Sequence, residues 1–153
     1  MEKLTAFEKK WSKRLRSVGR GCWLGGIGNC PANGRVLEIA RRAGYSPGSA
    51  SDFFEIDRKT ASRVLAYLQK ESLAYGQHRY REGLVREMFD MLGEMGSGAR
   101  FCSNSRHSDF ASDNPPDASN AWMWVGLTEA TFDTGVIALN EATGFMFWIE
   151  EDD

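Results

Sequence analysis

Histidine and cysteine are scarce in this chain, with two His and three Cys among 153 residues and no Cys-x-x-Cys spacing. That scarcity argues against a zinc site, which draws on these residue types at short, regular spacing. An odd set of Cys22, Cys30 and Cys102 fits reduced thiols, and a Cys22–Cys30 bridge is allowed by separation alone. Long apolar runs are absent too, so no segment reads as a membrane span. The opening Met1-Glu2-Lys3-Leu4 leads into a charged amphipathic stretch without the apolar core of a secretory signal. Together these point to a cytoplasmic protein, free of membrane, metal and cofactor. An apolar content of 42% is enough for one core, and a single domain over residues 1–153 is expected.

What the chain does have is a charge split by position. Residues 1–99 carry 17 Lys+Arg against 11 Asp+Glu, a balance of +6. Residues 100–153 carry two Arg against ten Asp+Glu, a balance of −8 hidden within the net −2. Such a field selects partners by the sign of their surface.

Hydrophobic periodicity divides the chain at nearly the same point. Leu4, Phe7, Trp11, Leu15 and Val18 lie on one helical face, with Lys9, Lys10, Lys13, Arg14 and Arg16 on the other. Six glycines and Pro31 make 19–34 a loop. A short helix over Val36–Ala40 stops at Gly44, and Ser49 caps a helical piece through Phe54. Asp57 is a good N-cap for a helix reaching about Leu73, because its carboxylate accepts from exposed first-turn N–H groups. Leu84, Val85, Met88, Phe89, Leu92 and Met95 outline another helix. Residues 103–120 form a long polar loop of the kind that is usually functional or disordered. Strand-like runs follow at Ala121–Leu127, Gly135–Asn140 and Gly144–Glu150, the last two joined by a hairpin in which Gly144 supplies the awkward backbone angle. The expectation is an α+β fold, with a mainly helical basic half (1–98) packed on a small antiparallel acidic sheet (99–153). In the last strand Phe145, Phe147 and Ile149 share one face, and Met146 and Trp148 the other. Both faces are therefore covered, the second by two-sided packing within the chain, by a homodimer or by a partner.

Three catalytic-looking motifs have plainer readings. Asp133-Thr134-Gly135 matches the aspartic-protease triplet, but only 18 residues follow it, and it reads as a turn entering a strand. Gly44-Tyr45-Ser46-Pro47-Gly48 matches the serine-hydrolase elbow without the buried strand before it. Gly25-Gly26-Ile27-Gly28 lacks the Gly-Lys-Ser/Thr ending of a phosphate loop. With no supported nucleophile, metal site or cofactor loop, the chain reads as non-enzymatic.

Two binding readings remain. The segment 35–75 resembles a helix-turn-helix or winged-helix unit. Arg58, Lys59, Ser62 and Arg63 would then face outward at the start of a recognition helix, and Gln77, His78, Arg79 and Arg81 would form a basic wing. A DNA-binding transcriptional regulator is thus the alternative, and the only reading with a nucleic-acid partner. The acidic end supplies the leading one. The stretch from Trp122-Met123-Trp124 to Phe132-Asp133-Thr134-Gly135, its hairpin, and Trp148-Ile149-Glu150-Glu151-Asp152-Asp153 together resemble the ends of small bacterial toxin-immunity proteins. The likeness lies in an aromatic sheet and an acidic rim on a compact chain. It implies a protein that binds and neutralises a cognate toxin, such as a secreted nuclease domain. An acidic surface would block the toxin's basic active site, and opposite charge would speed the encounter. Asp109, Asp113, Asp117, Glu129, Asp133, Glu150 and Glu151 are the candidate contacts, with Trp122, Trp124 and Trp148 as apolar anchors.

Overall fold

Alternation along the last strand reports a sheet buried on both sides, and the tertiary structure supplies both covers. The computed structural model describes residues 21–28, 34–46, 53–70, 82–105 and 132–151. Five strands, β1 (Gly21–Gly26), β2 (Phe54–Ile56), β3 (Arg100–Ser103), β4 (Phe132–Leu139) and β5 (Thr143–Glu151), form one sheet in the order β1-β5-β4-β3-β2. Every neighbouring pair is antiparallel. Three helices, α1 (Arg35–Arg42), α2 (Arg58–Lys70) and α3 (Glu82–Gly93), complete the α+β architecture among the described residues.

The helices sit on opposite faces. Val136 and Ala138 of β4, with Phe145 and Phe147 of β5, share a core with Val64, Leu65 and Leu68 of α2 and Met88 and Leu92 of α3. The intervening residues, Ile137, Leu139, Met146 and Trp148, pack instead with Ile39 and Ala40 of α1, Ile27 and Tyr45. Trp148 is fully enclosed, tilted against Tyr45 at 6.2 Å and edge-on to Phe53 at 6.5 Å. Such aromatic pairs add to the burial of their area.

Helix boundaries follow the cap chemistry. Asp57 accepts from the Thr60 N–H at 2.7 Å and starts α2 as expected. That bond, reinforced by the Thr60 hydroxyl, holds the Asp57 carboxyl below its ordinary value, outweighing a small burial penalty. At the end of α1 the Tyr45 N–H reaches the Ala40 carbonyl and the Gly44 N–H reaches that of Arg41, with Gly44 at φ 100°. This is the Schellman arrangement, in which a left-handed residue turns the chain back onto the last carbonyls.

Several expectations change. Residues 19–34 are not a loop throughout, since β1 lies within them; three glycines in six residues masked its strand character. Phe54 opens strand β2 and does not end a helical piece. The four-residue β3 was unforeseen, so Ser103 belongs to a strand. The first 98 residues thus contribute two strands and are not simply a helical half. Asp133-Thr134-Gly135 lies inside β4, where Gly135 lets the strands approach: an added Cβ would meet the Phe147 carbonyl and lie 2.8 Å from the Trp148 Cα. Gly144 likewise serves close packing and not an unusual angle, because positive φ occurs, among the described glycines, at Gly44 and Gly96. The hairpin is organised by Asn140, whose Oδ1 accepts from the N–H groups of Ala142 (2.9 Å) and Thr143 (2.7 Å). Its Nδ2 donates to the Met95 carbonyl at 3.0 Å, tying the turn to the chain beyond α3. The helix expected at 4–18, the run at 121–127 and the basic wing at 77–81 lie outside the described residues.

Candidate functional site

Strand register separates the two ends of the sheet. At one end, the hairpin end, β4 and β5 join through Asn140–Thr143, and Ile27 N–H bonds the Ala142 carbonyl at 2.8 Å. At the other, the pairings Gly21↔Trp148, Asp133↔Glu150 and Phe54↔Ser103 bring together the starts of β1, β2 and β4 and the finishes of β3 and β5. The connection 106–131 therefore leaves and returns at this second end. Strand β5 also finishes there, at Glu150 and Glu151. Of the ten Asp+Glu in residues 100–153, nine lie in segments joined there, and Glu141 in the hairpin turn is the exception.

The root of that connection is held by buried polar groups. Ser103, Asn104 and Thr134 are all fully buried. The Ser103 hydroxyl donates to the Gly135 carbonyl at 2.6 Å, and the Thr134 hydroxyl donates to Asn104 Oδ1 at 2.6 Å. A buried polar group left without a partner costs about 1–3 kcal/mol, so this cluster disfavours any slippage of β3 against β4. Ser103 and Thr134, on the strands that flank the 106–131 connection, are both fixed at the sheet as a result.

The expected contact residues fall into three groups. Asp109, Asp113, Asp117, Trp122, Trp124 and Glu129 lie in the connection, outside the described residues. Asp133 and Glu150 occupy directly opposed register positions on β4 and β5, and Glu151 stands opposite Phe132. Trp148 is corrected: fully buried between the sheet and α1, it is a core residue and offers no surface anchor. Position alternation alone could not tell a tryptophan facing a partner from one facing a helix of its own chain.

The recognition-helix reading is corrected more fully. α1 and α2 lie on opposite faces of the sheet with β2 between them, so they do not form a helix-turn-helix pair. Ser62 is fully buried, its hydroxyl donating to the Arg58 carbonyl at 2.6 Å, and Arg63 is only 7% exposed. The Arg58 guanidinium turns back across α3, donating from Nε to the Phe89 carbonyl at 2.8 Å and lying 3.6 Å above the Phe89 ring. Gly93 leaves the space for it, since a Cβ there would lie 2.7 Å from Arg58 Cζ. Of the four residues, Lys59 alone is exposed.

Elsewhere among the described residues, three exposed arginines are matched by carboxylates. Arg41 and Arg42 pair with Glu38 at 3.7 and 3.1 Å, and Arg100 pairs with Glu55 at 3.2 Å. A different setting surrounds Lys59. Beside it, Gly83, Val85, Arg86, Phe89 and Asp90 of α3 line a groove of about 600 Å³. Among the described residues, no group of three or more His, Cys, Asp or Glu is placed to hold a metal ion, and no helix is long and apolar enough to cross a membrane. No family model, curated protein or solved structure matches this chain.

Proposed function

We propose that this chain is a binding protein of the toxin-immunity type, which captures a basic macromolecular partner with the acidic end of its sheet. The observation that carries the reading is the opposition of Asp133 and Glu150 in register at the end of the sheet to which the 106–131 connection, with four further carboxylates in its sequence, is joined. A clustered negative field accelerates encounter with a cationic cleft and suppresses partners of the wrong sign. The buried Ser103–Asn104–Thr134 hydrogen bonds support the same reading, because a binding connection gains affinity when its anchors are ordered beforehand. Blockade is steric and electrostatic: the connection fills the partner's cleft and its carboxylates answer the cleft's charge. The partner class is a secreted nuclease-like domain with a basic active site.

The segment 1–20, with seven Lys+Arg, joins the sheet at the same end through Gly21, so the reading requires that it leave the acidic connection open to solvent. Carbodiimide labelling of the carboxylates in the free chain checks that requirement. Titration with any toxin domain encoded beside the gene then tests capture. Binding should speed up at low salt, and reversing Asp109, Asp113 and Asp117 to Lys should slow association by about tenfold or more. Labelling-resistant carboxylates in the free chain, or failure to bind that domain, sinks the proposal.

A further inference from the structure

A second surface, of opposite sign, lies on the α2/α3 face. Its floor is apolar, with Val85 and Phe89 half-buried and the Phe89 ring backed by the Arg58 guanidinium. Lys59, at the start of α2, and Arg86, one turn before Phe89, are exposed cations on its rim. No ion pair reaches either of them among the described residues, in contrast to Arg41, Arg42 and Arg100. Asp90 is the one carboxylate among the described lining residues.

From this combination we infer that the α2/α3 groove is a docking site for an acidic, amphipathic peptide segment of another protein. Its apolar side chains would fill the floor over Val85 and Phe89, and its carboxylates would meet Lys59 and Arg86. The volume of about 600 Å³ falls within the range that accepts a ligand of several large side chains. An amphipathic helix laid into a groove between two helices is a recurring mode of peptide recognition. A nucleic acid fits less well. Nucleic-acid surfaces are much more strongly positive than two cations beside one carboxylate, and an apolar floor leaves the phosphates unanswered. The inference is independent of the acidic end of the sheet, which is built from other residues.

The test uses the full chain and fluorescence anisotropy with three labelled probes. One is a 14-residue peptide with Leu and Trp at every third and fourth position and Glu elsewhere; the second replaces each Glu with Lys; the third is a 14-nucleotide oligo-thymidine strand. The acidic probe should bind at least about tenfold more tightly than the basic one at low salt, and the difference should shrink at high salt. In the double variant Lys59→Glu/Arg86→Glu the preference should reverse toward the basic probe. Circular dichroism and Tm of the variant, matched to those of the parent, separate this reversal from misfolding. Equal binding of both peptides, no binding of either, an unchanged preference in the variant, or tighter binding of the oligonucleotide overturns the inference.

Discussion

Replacing Gly144 with alanine would place a methyl group where α1 already packs. The added Cβ falls 2.7 Å from both Cγ1 and Cδ1 of Ile39 and 3.1 Å from Cγ2 of Ile27. Ordinary carbon–carbon contact is about 3.5–4.0 Å, so the overlap approaches 1 Å. Ile39 is fully buried and Ile27 is 1% exposed, leaving neither an easy retreat. Overpacking of this kind costs about 1–3 kcal/mol. Opposing it, a Gly→Ala change at a compatible backbone position gains about 0.4–1 kcal/mol by restricting the unfolded chain, and the backbone at Gly144 is extended strand. The overlap wins by about 1 kcal/mol, which for a chain of this size lowers Tm by about 2–4 °C. A double-mutant cycle isolates the cause. Ile39→Ala alone should cost about 2–5 kcal/mol through its cavity. Combined with Gly144→Ala, the new methyl enters that cavity, so the pair should cost less than the sum by about 1–3 kcal/mol. Urea unfolding followed by tryptophan fluorescence, with Tm alongside, measures all four corners. If Gly144→Ala leaves Tm unchanged or raised, or if the two changes add within about 0.5 kcal/mol, α1 does not pack on β5 as described.

Other expectations follow from single contacts. Asp57→Ala should cost about 1 kcal/mol at neutral pH through loss of the α2 cap. Because the folded-state pKa lies below the ordinary 3.8, that stabilisation is present above pH 3.8 and is lost as pH falls through the folded value, so acid urea titrations of the two proteins should converge. Burial pushes the Cys102 thiol up from 9.0 to about 11, partly offset by Arg100. In a Cys22→Ser/Cys30→Ser background an aromatic disulfide reagent at pH 8 should therefore react with the native chain far more slowly than with the chain in urea. The same shift predicts that the Cys102 contribution to stability is intact below pH 9 and lost toward pH 11, a decline that Cys102→Ala should lack. Asn140→Ala removes two turn bonds and the tie to Met95, and should cost about 1–3 kcal/mol by denaturant unfolding. Asn140→Asp, which keeps the acceptor and loses the donor, should fall between it and the parent.

Local chemistry alone was enough to locate the caps and the last two strands. Asp57 starts a helix because a short carboxylate can reach first-turn N–H groups, and Gly44 ends one because it accepts a left-handed backbone; both causes act within a few residues. The alternation in β5 also stated correctly that Phe145 and Phe147 oppose Met146 and Trp148. What alternation cannot encode is the identity of the cover. Trp148 carries the same pattern whether it meets a partner or α1, and packing of distant segments decided for α1. Arg58 and Ser62 read as outward polar residues until α3 came beside them and offered a carbonyl and a ring to Arg58. β1 and β3 escaped notice because a glycine-rich run and a four-residue run have little strand character of their own; pairing with β5 and β4 supplies it. The antiparallel register made the last decision, since it sets Asp133 opposite Glu150 at the end of the sheet where the 106–131 connection begins and ends. A linear count could report these carboxylates but not their opposition across two strands.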